Sequence, residues 1–224
     1  TGSFDDCHVE LVRSEITNLV RDTIWEIPQW EVKQGVNGYQ ESFRSMDDFI
    51  IIAYDTDPIF AKKIHKHRAS VSFSGGFFDK WPVEQLPLFA KTIRELLIRV
   101  CHFDVYYQDI EKLIEIYQLN QLFKNGQCRG FKTRRYIDSD SNGEHSGETL
   151  DLGRRGSDGS GKFLRIYDKE LESKGEIKGN RWELAMSGKR SETAWTLLEM
   201  AEFQPATMAG MVFASVDWIE TTDD

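Results

Sequence analysis

The sequence predicts an α+β protein, with antiparallel β-sheets, helices packed on one face of the sheets, and room for two similar halves. Short apolar runs bounded by glycine and polar turn residues predict strands. Stretches with apolar residues at helical spacing predict amphipathic helices. The sequence shows no repeat of fixed period. Sheets covered by helices are a stable layered arrangement for this set of elements.

The first half of the chain carries two predicted helices and three predicted strands. Cys7–Asp22 places apolar residues near helical spacing, and Leu86–Arg99 is the clearest amphipathic helix, introduced by prolines. The strands are predicted from apolar runs close to turn residues. They lie at Phe49–Tyr54, Ala69–Phe73 and His102–Tyr107.

The carboxyl-terminal part is predicted to be richer in strands. Asp109–Lys124 and Glu192–Glu202 show helical spacing, and the tail that follows is acidic. Polar and glycine-rich loops separate most of the strands between these two helices. The strands are predicted at Arg129–Ile137, Gly147–Gly153, Lys162–Lys169 and Asn180–Met186.

Composition excludes some classes of protein and leaves others open. The chain of 224 residues has ample length for a hydrophobic core, and it contains no apolar run that approaches a membrane span. Its three cysteines lack CxxC spacing, which predicts neither a disulfide framework nor a zinc site. No export signal is recognisable, and a reducing cytoplasm is the expected location.

Charge is unevenly distributed along the chain. The whole sequence has a formal net charge of −9, but residues 124–190 hold 15 lysines and arginines against 11 aspartates and glutamates, a local charge of +4. This segment is the basic pole of an acidic protein. It permits a nucleic-acid partner, although charge blocks are more often plain solvated surface.

The most informative stretch of the chain is Lys162–Glu172, KFLRIYDKELE. Alternation along a strand places Arg165, Tyr167 and Lys169 on one face. A free tyrosine has a pKa of about 10 and is a poor nucleophile at neutral pH. The two flanking cations are expected to favour the phenolate and to hold the oxygens of a phosphodiester. The alternative interpretation is a half-buried edge strand with a solvated basic face.

Two further strands carry charged residues where a sheet normally carries apolar ones. HFDVYYQD contains Asp104, and NRWELAM places Arg181 and Glu183 on one face, opposite Trp182. Beside Tyr167, these carboxylates would offer oxygen ligands for Mg²⁺ or Mn²⁺, which can polarise a phosphate. The alternative is a set of structural ion pairs at a sheet edge.

The order of these motifs resembles the replication initiation factor family, which includes initiators of staphylococcal-type rolling-circle plasmids and relaxases of some integrative elements. The resemblance extends over about residues 38–200, and RIYDKxxE is its specific element. The other motifs are weak singly but follow the family's order. The matching segments are Gly38–Tyr39, Ser74–Gly75, His102–Asp104, Gly147–Ser157, Arg165–Lys169 and Arg181–Glu183.

This resemblance implies a metal-dependent nicking and joining enzyme. Tyr167 would attack a phosphodiester in a single-stranded origin loop, leaving a 5′-phosphotyrosine and a free 3′-hydroxyl that primes synthesis. Arg165 and Lys169 would steady the phosphate. Arg181 would orient Glu183.

The resemblance also implies that Asp104 and Glu183 bind Mg²⁺ or Mn²⁺, but three positions depart from the family pattern. His102 stands in place of an arginine, Gln108 in place of an acidic residue, and Asp151 in place of the usual aromatic. The loss of one acid weakens metal binding. Asp151 is the candidate to substitute as a third ligand.

Domain organisation and partners follow from the same resemblance. Residues 1–224 would form a single nicking and strand-transfer domain: an amino-terminal part over 1–100, catalytic strands over 101–190, and a helix with an acidic tail over 191–224. The substrate would be single-stranded DNA or an extruded origin hairpin, and a homodimer that recruits a helicase is expected, with no membrane partner. The alternatives are a non-catalytic DNA-binding regulator with the same fold, or an ion-paired sheet without a DNA role.

Overall fold

The chain divides into two compact units, and neither is one continuous segment. A computed structural model describes residues 2–4, 9–24, 26–56, 69–97, 99–141, 144–155, 161–200 and 202–219. Unit 1 comprises Thr1–His102 and Ser191–Phe203, and unit 2 comprises Phe103–Arg190 and Gln204–Asp224. That residues 1–224 act as one nicking domain stays a prediction.

Thirteen strands and seven α-helices lie within the described residues. The strands are β1 (Gly2–Phe4), β2 (Glu31–Gln34), β3 (Glu41–Ser45), β4 (Ile50–Tyr54), β5 (Ala69–Phe73), β6 (Arg99–Val100), β7 (His102–Asp109), β8 (Cys128–Arg129), β9 (Arg134–Ser141), β10 (Glu144–Gly153), β11 (Lys162–Asp168), β12 (Asn180–Ser187) and β13 (Asp217–Trp218). The helices are α1 (Val9–Ile24), α2 (Gly75–Asp79), α3 (Leu86–Leu96), α4 (Ile116–Lys124), α5 (Lys169–Glu172), α6 (Lys189–Leu198) and α7 (Pro205–Ala214). Of these described helices, none has both the length and the apolar character needed to cross a membrane.

Unit 1 is built on a six-stranded sheet in the order β2–β3–β4–β5–β1–β6. Its five neighbouring strand pairs are all antiparallel. Helix α1 buries Val12, Ile16 and Val20, which recur every four residues along one face of the helix. This spacing explains why the sequence predicts a helix here.

An aromatic cluster fills the core of unit 1. Phe77 and Phe89 are at most 1% exposed, and their ring centroids lie 5.6 Å apart. Trp195 on α6 joins the cluster, with its ring 6.3 Å from that of Phe89. Arg94 of α3 also binds two carboxylates of the α6 segment, at 2.6 and 2.7 Å. The residues after Ser191 therefore complete a core that begins at the amino terminus.

Unit 2 is built on a five-stranded sheet in the order β7–β12–β11–β10–β9, with β8 and β13 in a separate two-stranded sheet. The pairs β12–β11, β11–β10 and β10–β9 are antiparallel. Leu150, Ile166 and Trp182 are neighbours across three strands and are at most 1% exposed, so this face is apolar. Helix α7 covers it, with the ring of Phe213 5.4 Å from that of Trp182. The predicted α+β class, with antiparallel sheets and helices, is confirmed.

Two helices of unit 2 differ from the predicted elements. β7 continues to the buried Asp109, which accepts a hydrogen bond from the backbone N–H of Leu113 at 3.1 Å. Because of this turn, helix α4 begins only at Ile116. Helix α7 lies within the predicted acidic tail. It begins at Pro205, which suits the first turn of a helix, and its apolar residues show no one-sided period that would have predicted it.

Candidate active site

One face of the five-stranded sheet of unit 2 is polar and carries the predicted site residues. Tyr167 on β11 lies directly opposite Arg181 on β12. Arg165 lies opposite Glu183 on one side and Asp151 of β10 on the other. Directly opposed residues share a face, and so do residues two apart along a strand. These five side chains therefore project from the same side of the sheet.

The hydroxyl of Tyr167 donates a hydrogen bond to Oε1 of Glu183 at 2.8 Å. The contact is diagonal, because the directly opposed partner of Tyr167 is Arg181, two residues before Glu183. Diagonal cross-strand neighbours are within reach of aromatic and long side chains. Tyr167 is partly exposed, and the Glu183 side chain is 31% exposed. The pair is accessible from solvent.

The pKa of the Tyr167 phenol is raised above its ordinary value. Burial is the largest cause, and the hydrogen bond to the Glu183 carboxylate is the second; Arg181 acts in the opposite direction. The prediction that flanking cations favour the phenolate is therefore wrong. Arg165 and Lys169 are both ion-paired with carboxylates of their own. The phenol keeps its proton at neutral pH.

Arg165 is bound to Asp151 across the β11–β10 pair. Its Nε donates to Oδ1 at 2.8 Å and its Nη2 donates to Oδ2 at 3.4 Å. The Arg165 side chain is 41% exposed and that of Asp151 only 12%. Arg165 therefore presents a fixed cation to solvent, and both oxygens of Asp151 are engaged. A metal-ligand role for Asp151 stays a prediction, and it would require Arg165 to give up this ion pair.

Lys169 lies at the end of β11 and not on the strand, contrary to prediction. The strand ends at Asp168, whose carboxylate accepts a hydrogen bond from the backbone N–H of Leu171 at 3.0 Å and so caps the short helix α5. The Lys169 ammonium nevertheless lies 5.7 Å from the centroid of the Tyr167 ring. It forms an ion pair with Glu172. Lys169 therefore lies beside Tyr167 as predicted, although it belongs to helix α5 and not to the strand.

Arg181 is held on the polar face by two residues of β7. Its Nε donates to Oε1 of Gln108 at 3.0 Å, and its guanidinium lies 4.5 Å from the centroid of the Tyr106 ring. Gln108 in turn donates to two backbone carbonyls next to β12 or within it, at 2.7 and 3.3 Å. In the sequence, Gln108 is notable only because it stands in place of an acidic residue. No local signal marks a glutamine that bridges strands distant in sequence.

Asp104 lies on the same face, because the contact of Gln108 with Arg181 shows which side the even-numbered residues of β7 face. It is exposed. Within the described ranges, no three His, Cys, Asp or Glu side chains are grouped as a metal centre would require. Magnesium, however, is often held by one or two carboxylates together with water and substrate phosphates. Asp104 and Glu183, on neighbouring strands, have the chemistry of that smaller donor set, and their role as metal ligands stays a prediction.

The segment that carries this face is similar to known proteins. The sequence model of the family described as replication initiation factor matches residues 99–222. Among curated protein sequences, none matches the chain. One solved structure, that of the rolling-circle replication initiator protein from Geobacillus stearothermophilus, has a TM-score of 0.67 and 19% identity and covers 87% of this chain and 74% of that one. This likeness confirms the fold. Because the family model matches more than half of the chain, the protein belongs to the replication initiation factor family.

Proposed function

We propose that the protein is a DNA strand transferase that uses Tyr167 to nick a single-stranded origin segment and thereby starts rolling-circle replication or mobilisation. The 2.8 Å hydrogen bond from the Tyr167 hydroxyl to Glu183 carries this proposal. A nucleophile whose proton is directed at a carboxylate is arranged as a nucleophile with its base. Family membership supports a role in the initiation of replication.

The proposed reaction is a displacement at phosphorus. The Tyr167 oxygen forms a new bond to phosphorus, and the bond between phosphorus and the 3′ oxygen breaks. The phenol proton passes to Glu183, because the raised pKa of Tyr167 leaves little phenolate at neutral pH. The departing 3′ oxygen takes a proton from water and becomes the 3′-hydroxyl. The 5′ phosphate stays on Tyr167, and joining reverses each step.

Two arginines flank the place where the phosphate would lie. Arg165 presents its guanidinium to solvent while Asp151 fixes its orientation. Arg181 is fixed in the same way by Gln108 and by the ring of Tyr106. Guanidinium groups form strong, directional hydrogen bonds to phosphate oxygens. Lys169 adds a third cation near the ring of Tyr167.

We also propose Mg²⁺ or Mn²⁺ as the cofactor. Asp104 and Oε2 of Glu183, the oxygen that does not accept from Tyr167, would hold the ion, which would polarise the scissile phosphate. The proposed substrate is single-stranded DNA or an extruded origin hairpin. A homodimer, a helicase partner and a cytoplasmic location remain predictions.

The decisive experiment is a covalent adduct assay with Tyr167→Phe. Parent protein and variant are incubated with a labelled single-stranded origin oligonucleotide, with and without Mn²⁺, and denatured before electrophoresis. We expect a denaturation-resistant adduct for the parent in Mn²⁺ and none for Tyr167→Phe, because phenylalanine lacks the attacking oxygen. DNA affinity should be unchanged.

Tyr106→Phe is the matched control, since Tyr106 is an exposed tyrosine on the same face and its ring would still carry Arg181. The control should form the adduct at the parent rate. An adduct that persists in Tyr167→Phe would contradict the proposal. Specific DNA binding without an adduct in the parent would favour a non-catalytic regulator.

A further inference from the structure

Charge is divided between the two ends of the five-stranded sheet of unit 2. β9 and β11 begin at the end where β10 and β12 finish, because these strands are antiparallel. Basic residues collect at this end, which we call the basic end. They are Arg134, Arg135, Arg154, Arg155, Lys162, Lys189 and Arg190. The opposite end carries six acidic residues, Asp138, Glu148, Asp168, Glu170, Glu172 and Glu176, against three lysines, Lys169, Lys174 and Lys178.

The polar face connects Tyr167 with the basic end through two stacked guanidinium groups. Phe163 lies two residues before Arg165 on β11, so it shares the face of Tyr167. Its ring centroid lies 5.7 Å from the Arg165 guanidinium and 5.4 Å from that of Arg155. Phe163 is only 6% exposed although it lies on the polar face. Its ring therefore supports arginines on the way from the nucleophile to the basic end.

Arg135 adds a further cation to the same face. It lies directly opposite Asp151, whose other cross-strand partner is Arg165. Asp151 binds Arg165, so its carboxylate is already engaged. Arg135 and Arg155 are both exposed. Among the described residues, neither has a carboxylate partner. An ion-pair role within the described fold therefore does not explain them.

We propose that Arg135 and Arg155 bind the phosphate backbone of the DNA arm that leads from Tyr167 to the basic end. This inference rests on the proposed function, which places the scissile phosphate at Tyr167. The four residue steps from Tyr167 to Phe163 cover about 13 Å of strand. That length corresponds to about four nucleotides at the phosphate spacing of a stacked strand. The ring of Phe163 supports the guanidinium of Arg155, and exposed guanidinium groups such as those of Arg155 and Arg135 suit phosphate oxygens.

We call the proposed path of the DNA arm along Arg155 and Arg135 the track. The salt dependence of DNA binding tests it. Fluorescence anisotropy measures the affinity of a labelled origin oligonucleotide, with at least eight nucleotides on each side of the nick, between 0.05 and 0.4 M salt. The double variant Arg135→Gln/Arg155→Gln should reduce the slope of log K against log salt by about 1.4, which is about 0.7 per lost phosphate contact. Extrapolated from 1 M salt, this change is about a 25-fold loss of affinity at 0.1 M.

The matched control is Lys124→Gln/Lys174→Gln, which removes the same charge from two exposed positions of unit 2. Lys124 belongs to α4, which packs on the apolar face of the sheet through Tyr117 and Tyr136, and Lys174 lies at the end opposite the basic end. Its slope should stay within 0.3 of the parent slope by the same counterion arithmetic. Equal slopes for the two double variants would overturn the inference. Circular dichroism checks folding, and if the double variant does not fold, each single variant is expected to lose a slope of about 0.7.

Shortened oligonucleotides identify the arm. Cutting one side of the nick to two nucleotides should remove the difference between the parent and the arginine variant, and cutting the other side should not. A difference that survives both cuts would show that the arginines do not follow an arm from the nick. It would point to a site elsewhere or to another acidic partner.

The two proposals fail in different ways. If the parent forms no adduct but the arginine variant still loses slope, the nicking proposal is wrong while the arginines still bind DNA. If the parent forms the adduct and the slopes are equal, nicking stands and the track is wrong.

Discussion

At the scale of single residues, the bond between Tyr167 and Glu183 determines how the site would react. The carboxylate raises the pKa of the phenol and at the same time offers a place for its proton. A tyrosine activated by surrounding cations would instead have a lowered pKa. In the proposed reaction the base Glu183 would matter more than the positive charge, and removing Glu183 should affect both the pKa of Tyr167 and the reaction rate.

Glu183→Gln should lower the pKa of Tyr167 and slow adduct formation about 10²- to 10⁴-fold, the usual contribution of a positioned base. The pKa falls because the charge that disfavours the phenolate is lost, although burial still raises it. NMR titration of tyrosine labelled with ¹³C at Cζ measures the pKa, and the adduct assay measures the rate.

Glu148→Gln is the control, since Glu148 makes the corresponding contact with Tyr136 at 2.6 Å. It should leave the Tyr167 titration and the adduct rate unchanged. An unchanged Tyr167 pKa in Glu183→Gln would show that the carboxylate does not control the phenol.

The local sequence predicts Tyr167 as a candidate nucleophile, but it does not predict which side chains contact it. Arg165 and Tyr167 share a face because they lie two residues apart on a strand, and the two-residue periodicity of the sequence predicts that strand. The bond to Glu183 depends on the register between β11 and β12, and the ion pair of Arg165 depends on that between β11 and β10. No local signal in the sequence sets these registers. A prediction that treats Arg165 as an unpaired cation therefore overestimates its effect on the phenol.

At the scale of elements, Gly179 fixes the start of β12 against the end of β7. It has a φ of +90°, and a Cβ there would lie 2.1 Å from the carbonyl oxygen of Asp109. Gly175 has a φ of +88° but open space around its Cβ position. Comparing alanine substitutions at the two glycines therefore distinguishes the free-energy cost of the positive φ from the cost of the steric overlap.

Gly175→Ala should cost about 1 kcal/mol of unfolding free energy, from the positive φ alone. Gly179→Ala should cost a further 1–3 kcal/mol or so, because β7 must move to admit the methyl group. Urea unfolding of both variants measures the difference. Equal costs would show that β7 and β12 are not held as closely as this contact indicates.

Element boundaries were predictable where one period dominated. β11 and β12 alternate apolar and polar residues and were found within one residue of their ends. The predicted start of helix α4, Asp109, lies before the observed start at Ile116, because the turn stabilised by Asp109 is polar and resembles a first helical turn. The sequence does not predict helix α7, because apolar residues lie all around it and leave no one-sided stripe, although Val212 is its one buried residue among those described.

At the scale of the whole molecule, three tyrosines bind glutamates on neighbouring strands as neutral phenols. The donor–acceptor pairs are Tyr54–Glu41 at 2.9 Å, Tyr136–Glu148 at 2.6 Å and Tyr167–Glu183 at 2.8 Å. In each case burial is the largest cause of a raised pKa, and for Tyr54 the pKa reaches about 12. Both units contain at least one such pair.

These pairs predict a loss of stability in alkali. A pKa raised by folding contributes stability that is complete below the unfolded pKa of about 10 and is lost as the pH rises through the folded pKa. Urea midpoints should therefore fall between pH 10 and 12. The triple variant Tyr54→Phe/Tyr136→Phe/Tyr167→Phe should show a shallower fall, and an equal fall would assign the effect to other groups with raised pKa values, such as Tyr39 and Lys112.

The position of α6 also has a consequence for biosynthesis. Unit 1 comprises Thr1–His102 but also takes Ser191–Phe203 into its core, where Trp195 donates a hydrogen bond to the carbonyl of Ala90 at 3.2 Å. The ribosome makes the strand with Tyr167 before it makes this segment. The first unit to begin synthesis therefore cannot complete its core until the whole proposed nicking face has left the ribosome. A chain released early would lack the completed core.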